Sequence, residues 1–200
     1  MITLSIETSG MNCGLGIWVD NELINIREEI VIKKHSEKLP KYTNQILTES
    51  KIKLKQVDVI SVSSGPGSYT GLRVGMSFAK GIAFGSNIQL IPINTFSSIE
   101  YKYNINNEYI VLIYSHSDFV YTKNRSNYKG ILQSKIESLY EKSLICVNFP
   151  EKYKNLKNAK YILPSAKYIG EYSIANYSKL KKLSLNDIST EYFSEFKIRN

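Results

Sequence analysis

An α/β fold is predicted for this chain of 200 residues, and three observations predict it. Ile2-Thr3-Leu4-Ser5-Ile6 and Cys13-Gly14-Leu15-Gly16-Ile17-Trp18-Val19 read as strands, each closed by a polar turn. Helix-spaced and strand-spaced segments then alternate, which is the pattern of a sheet covered by helices. Last, the strand-like Val57-Asp58-Val59-Ile60-Ser61-Val62 leads through Gly65-Pro66-Gly67 into a helix of small residues.

Taken in order, the first strand ends at Glu7-Thr8-Ser9-Gly10, and Asp20-Asn21 turns the second strand into a third, from Glu22 to about Ile32. His35-Ser36-Glu37-Lys38-Leu39-Pro40 opens the first helix, with Ser36 as the expected N-cap and Pro40 tolerated in the first turn. Leu39, Tyr42, Thr43, Ile46 and Leu47 keep helical spacing, while Thr48, Glu49 and Lys51 are solvated. After the glycine loop, Ser68 and Thr70 are both candidate caps of a helix running to Phe84, with Gly85 as its stop. Residues 88–93 read as a fifth strand, and Thr95 is the expected cap of a short helix through Tyr103. The polar connection 104–108 divides the chain into an N-terminal unit, 1–104, and a smaller C-terminal unit, 105–200. In the second unit, residues 109–114 and 119–122 read as strands joined by Ser115-His116-Ser117-Asp118. Residues 136–142 read as helical and 144–147 as a strand, and Ser165 caps a helix from Ala166 to about Leu180. The tail, 188–200, has no strong period and is expected to be mobile.

Within the small-residue helix, Gly71, Gly75, Ala79 and Ala83 recur every four residues, so one face is nearly bare. An interior glycine costs about 1 kcal/mol against alanine, so the bare face needs a compensating contact. Spacing leaves two such contacts open: close packing on this chain's own sheet, or docking of another protein. Arg73, the one charge in the motif, is open to a local ion pair or to a pair across an interface.

Composition narrows the function. With 42% hydrophobic and 22% charged residues, the chain is globular, with enough length for a real core. The first residues carry neither a basic segment nor a long apolar one, and no apolar run nears the ~18 residues of a membrane helix; the expected location is the cytoplasm. Cys13 and Cys146 supply neither a disulfide framework nor zinc-site spacing. The net charge of +8 raises a nucleic-acid reading, but the lysines are scattered, so RNA contact is expected only within a larger complex.

The stretch Gly65-Pro66-Gly67-Ser68-Tyr69-Thr70-Gly71-Leu72-Arg73-Val74-Gly75 resembles the signature of the TsaB (YeaZ) family. The likeness extends to Leu4-Ser5-Ile6-Glu7-Thr8-Ser9, to the helix start at His35, to Ile93-Asn94-Thr95 and to the closing Phe196-Lys197-Ile198-Arg199-Asn200. Glu7 stands where the family usually has Asp, and Tyr114-Ser115-His116-Ser117-Asp118 replaces an Asp-Ala-Arg turn. The resemblance implies an actin-like, ribonuclease H-like fold of two related subdomains with a degenerate phosphate site at Glu7, Thr8 and Ser9. It implies a non-catalytic subunit of tRNA threonylcarbamoyladenosine synthesis that pairs with the catalytic subunit TsaD, with a TsaE-like ATPase cycling the complex. It further implies tRNA contact only within that complex, no membrane association, and no cofactor held by this chain alone; ATP or ADP and a metal belong to the partner complex. Pairing uses the first two helices, which here carry His35, Leu39, Tyr42, Ile46, Gly71, Arg73, Gly75, Ala79 and Ala83. A homodimer through the same helices is the competing use of that face. On this resemblance the bare stripe is expected to dock the partner.

The chemistry of the loop points the same way. Gly65, Pro66, Gly67, Ser68, Thr70 and Gly71 could cradle an anion with backbone N–H groups, but the loop is not a Walker A sequence. No second glycine-rich phosphate motif follows residue 100, so an independent actin-like ATPase or phosphotransferase stands as the alternative function. His35 and His116 are not one helical turn apart, as TsaD's metal ligands are, and Ser68, His116 and Asp118 form no hydrolase motif. No catalytic residue and no metal ligand is expected in this chain.

Overall fold

A computed structural model describes residues 1–104, 109–116, 119–124, 127–132, 143–151, 156–181 and 188–190. It is built on two five-stranded sheets. The first consists of β1 (Ile2–Glu7), β2 (Asn12–Val19), β3 (Glu22–Ile30), β4 (Val59–Gly65) and β5 (Gln89–Asn94), in the order β3-β2-β1-β4-β5. β1, β2 and β3 are antiparallel neighbours, while β4 and β5 add in parallel. The second sheet repeats this plan. β6 (Tyr109–His116), β7 (Phe119–Asn124) and β8 (Asn127–Leu132) form the antiparallel meander, and β9 (Ser143–Val147) and β10 (Ala159–Ile162) run parallel beyond β6. Its order, β8-β7-β6-β9-β10, matches the first sheet position by position.

The helices are α1 (His35–Glu49), α2 (Tyr69–Ser86), α3 (Thr95–Tyr103), α4 (Ala166–Ala175) and α5 (Tyr177–Leu180). α1 and α2 cover one face of the first sheet, burying Leu39, Tyr42, Ile46, Met76, Ala79 and Ala83 among Leu4, Ile6, Leu15, Ile17, Ile60 and Val62. α3 and α4 lie between the sheets, and each crosses to the other half's strands. Phe96 and Ile99 of α3 pack with Val111, Ile113, Ile145 and Val147, while Ile169 of α4 packs with Val59, Ile91 and Ile93. The core is therefore continuous across the polar connection after Tyr103. Gly170 makes α4's approach possible: a Cβ there would overlap the Trp18 indole, whose Nε1–H donates to Ser5 Oγ at 3.1 Å.

Several boundaries differ from the sequence reading for local reasons. α1 starts at His35 after Lys34, so Ser36 lies inside it and Pro40 lies one turn deeper than its sequence favours. Pro40 has no N–H to donate to the Ser36 carbonyl four residues back. Ser68, not Thr70, caps α2, its Oγ accepting from Gly71 N at 3.2 Å. Asn87 rather than Gly85 takes the left-handed cap, at φ 53°, because the helix continues through Ser86. Asn94 rather than Thr95 caps α3, through Ser97 N at 3.2 Å. Ser165 does cap the next helix, which stops at Ala175 and resumes as α5. β8 and β10 carry too little patterning to be read in advance. The expected helix at 136–142 lies outside the described residues. The start of the tail is not loose: Ile188 is buried in the core beside Val57 and Ile88.

Candidate functional site

The glycine loop leaves β4 through a cis Gly65–Pro66 bond, and Gly65 adopts φ 116°. From there α2 is driven onto the turn that ends β1. A Cβ on Gly67 would overlap the Ser9 carbonyl, one on Gly71 the Thr8 carbonyl, and one on Gly75 the Thr8 hydroxyl. Ser68 N–H donates to the Ser9 carbonyl at 2.7 Å, locking loop to turn. Ala79 and Ala83, further along the same face, are buried in the core. The bare stripe is thus the helix's inner face, and the expectation that Gly71, Gly75, Ala79 and Ala83 dock a partner is corrected. Packing within the chain accounts for all four: Gly71 lies on the Thr8 carbonyl, Gly75 on the Thr8 side chain, and Ala79 and Ala83 in the core.

The same correction applies to α1. His35, Leu39, Tyr42 and Ile46 are all buried. His35 sits under the β1–β2 turn with Nε2 3.3 Å from the Asn12 carbonyl, and burial holds its pKa below the usual imidazole value. Tyr42 hydroxyl donates to Glu29 on β3. Of the residues the sequence reading assigned to the partner, only Arg73 is exposed, with its guanidinium 4.0 Å from the centre of the Tyr69 ring.

Glu7, Thr8 and Ser9 form a closed turn whose backbone amides are taken up, while the buried Thr8 hydroxyl has no hydrogen-bond partner among the described residues. Thr8 N–H donates to Ser63 Oγ at 3.2 Å, Ser9 N–H to the Glu7 carboxyl, and Met11 N–H to Asn148 Oδ1 at 2.8 Å. Asn12 Nδ2–H donates to the Pro164 carbonyl at 2.8 Å, so the second half closes the turn from outside. A Cβ on Gly10 would lie 2.8 Å from Asn148 Oδ1. A phosphate needs free amides and room, and these amides are committed. Burial pushes the Glu7 carboxyl up to about 7. The residues do not fit a nucleotide phosphate or its metal ion. Among the described residues no group of three or more His, Cys, Asp or Glu side chains is placed to share a metal.

What α1 and α2 leave outward is different in character. Gly81 and Gly85 have open space where a Cβ would project, and Ser77 continues their row one turn earlier. Phe84 beside them is 81% exposed. Val74 and Phe78 lie partly buried at the seam with α1, where Ser36, Leu39, Arg73, Val74, Ser77 and Phe78 line a hollow of about 360 Å³. Phe78 also borders a larger hollow of about 660 Å³ that runs along Pro40, Asn44, Leu47 and Leu54. These two hollows form an apolar groove along the outer seam of α1 and α2. Sequence reasoning missed Ser77, Phe78, Gly81 and Phe84, although Ser77, Gly81 and Gly85 repeat every four residues just as the inner stripe does.

Two solved structures share this architecture. A Pseudomonas aeruginosa protein described as similar to peptidase YeaZ aligns with TM-score 0.78, 15% identity, and 96% and 99% coverage of the two chains. YeaZ from Pseudomonas aeruginosa aligns with TM-score 0.75 at 15% identity and the same coverage. The repeated five-stranded plan makes this an actin-like, ribonuclease H-like α/β protein with two related subdomains. A family model described as TsaD, tRNA N6-adenosine threonylcarbamoyltransferase, matches residues 26–160. Proteins named tRNA threonylcarbamoyladenosine biosynthesis protein TsaB match from Haemophilus influenzae, at 33% identity over 48% of this chain and 40% of that one, and from Buchnera aphidicola, at 28% over 98% and 99%. The chain belongs to this family, on its TsaB (YeaZ) branch. The alignments to the Haemophilus influenzae and Escherichia coli proteins span about two fifths of those relatives, whereas the Buchnera alignment is full length. Among the described residues no helix is long and apolar enough to cross a membrane.

Proposed function

We propose that this chain is a non-catalytic subunit of tRNA threonylcarbamoyladenosine synthesis that binds a TsaD-like catalytic subunit through the outer face of α1 and α2. One observation carries the reading: Gly81 and Gly85 face open space beside an 81% exposed Phe84 and an apolar groove. Nothing among the described residues compensates the helix weakening these glycines cause, about 1 kcal/mol for an interior one. A helix packed on them does, by bringing two backbones together and covering Phe84. The sealed turn at Glu7, Thr8 and Ser9 supports the absence of independent nucleotide chemistry. In this reading the chain holds no cofactor of its own, and the metal, the nucleotide and the transfer chemistry belong to the partner.

The test is co-elution with a TsaD-like protein on size exclusion. The unaltered chain forms the complex, and Gly81→Leu, folded by circular dichroism, does not. Complex formation by the folded Gly81→Leu chain overturns the docking face. Micromolar ATP binding by the isolated chain in calorimetry overturns the non-catalytic assignment in favour of an independent ATPase or phosphotransferase.

A further inference from the structure

Among the described residues β3 is an edge strand, and it carries an exposed row of apolar side chains: Ile24, Ile26 and Ile30 are 50%, 38% and 59% exposed, and Ile32 just beyond is 78% exposed. An unpaired edge of this length with isoleucines on it is a template for another strand. Val31 N–H, just past β3, donates to the Met11 carbonyl, just before β2, so by the two-residue alternation continued along the β2–β3 register the amides of Ile26, Glu28 and Ile30 face away from the sheet. Ile24 is the extra residue of a bulge, since Leu23 pairs with Trp18 and Asn25 with Ile17. The free edge is therefore a short segment centred on Glu28.

We propose that this edge pairs with the same edge of a second copy, antiparallel, about a two-fold axis at Glu28. An isologous contact needs a strand complementary to itself, and only even registers set outward amides against outward amides. Centring on Ile26 sets Ile24 against Glu28, and centring on Arg27 sets Ile26 against Glu28 and Arg27 against itself. Centring on Glu28 sets Ile26 against Ile30 on one face, and on the other Arg27 against Glu29, which within each copy are already held by Glu49 and by Tyr42 and Lys38, so the isoleucine pair selects the register. It also brings Ile24 of one copy to the end where the other copy's Ile32 lies. The two Glu28 carboxylates on the axis are drawn inward: each lies over Gly14 of its own sheet and accepts from Ala166 N–H at 2.7 Å, at the positive end of α4. The contact joins two first sheets into one ten-stranded sheet and leaves the α1–α2 groove free in both copies.

Sedimentation velocity over a concentration series tests the contact. The unaltered chain shows a reversible dimer, and Ile26→Lys, which sets two cations into the pair, weakens it at least about tenfold while leaving the circular dichroism unchanged. Oxidising an Ile26→Cys/Ile30→Cys variant tests the register: facing positions form a covalent dimer, and the two positions within one strand are too far apart to bridge. Cys13 and Cys146 are buried and do not compete. A chain that sediments as a monomer throughout, a dimer unaffected by Ile26→Lys, or an oxidised variant without covalent dimer overturns the proposal. Co-elution with a TsaD-like protein is unchanged by Ile26→Lys, so this contact and the docking face fail separately.

Discussion

The two faces of α2 are built from the same residue types and serve opposite purposes. Inward, Gly71, Gly75, Ala79 and Ala83 let the helix settle onto the turn at Thr8 and into the core. Outward, Ser77, Gly81 and Gly85 sit under empty space with Phe84 exposed beside them. Small residues at a spacing of four announce that something comes close, but not from which side. On the inner face the approaching partner is the chain itself, and substitution is a question of stability. On the outer face nothing described comes close, and under the proposed function the approaching partner is another molecule, so that substitution there is a question of association.

The sharpest way to break this distinction is to place leucine on each face in turn. Gly75→Leu drives a side chain into Thr8 and is expected to lower stability by about 3 kcal/mol or more, seen as a large fall in Tm or loss of the folded chain. Gly81→Leu meets nothing and is expected to hold or raise Tm, since leucine exceeds glycine in helix propensity by roughly 1 kcal/mol, while abolishing partner co-elution. Equal thermal effects at the two positions would erase the difference between the faces.

The turn beneath the inner face has its own signature. Folding raises the Glu7 pKa from 4.5 to about 7, so the folded chain binds more protons between those values. This group's stabilisation is full below pH 4.5 and lost as pH rises through 7, a span of about 3 kcal/mol. Denaturant unfolding should show that decline between pH 5 and 8, and Glu7→Gln, which keeps an acceptor for Ser9 N–H, should flatten it. Buried His35, whose pKa is held down, contributes in the opposite sense, so the Glu7 part is the difference between the two chains. A pH dependence left unchanged by Glu7→Gln would mean that Glu7 is ionised and solvated, and the closed turn would have to be abandoned.

A smaller effect is expected where α4 makes the second close approach. Gly170→Ala sets a methyl group into the Trp18 indole and should cost about 2 kcal/mol, with a blue or red shift of the single tryptophan's emission reporting the displaced ring. Phe84→Ser is the smallest in stability, within about 0.5 kcal/mol, because the ring is already in water. Its readout is weakened co-elution at unchanged Tm.

Much of the fold was legible because each local signal has a local cause. Alternation marked β1, β2, β4 and β5, and Ser165 announced α4 by supplying the oxygen that Lys167 N–H needs. β8 and β10 were not legible, since they are held by neighbours rather than by their own pattern. The cap at Asn94 was displaced by one residue because Asn and Thr are both good caps, and only the strand end on β5 chooses between them. For the site, the glycine loop and the family it marks are legible, but helical spacing does not tell an interface from a core, and His35, Leu39, Tyr42 and Ile46 are core.

By itself the sequence determined the element order, the loop from Gly65 to Gly67, the bare stripe and the family, because periodicity, turn chemistry and motif spacing are properties of neighbouring residues. Only the tertiary structure decided that the stripe faces inward, that Glu7, Thr8 and Ser9 are sealed by Asn148 and Pro164, and that α4 returns to the first sheet. Those outcomes depend on contacts between residues far apart in the chain, from Gly71 on Thr8 to Pro164 on Asn12. A helical period specifies which residues share a face, and the rest of the chain specifies what that face meets.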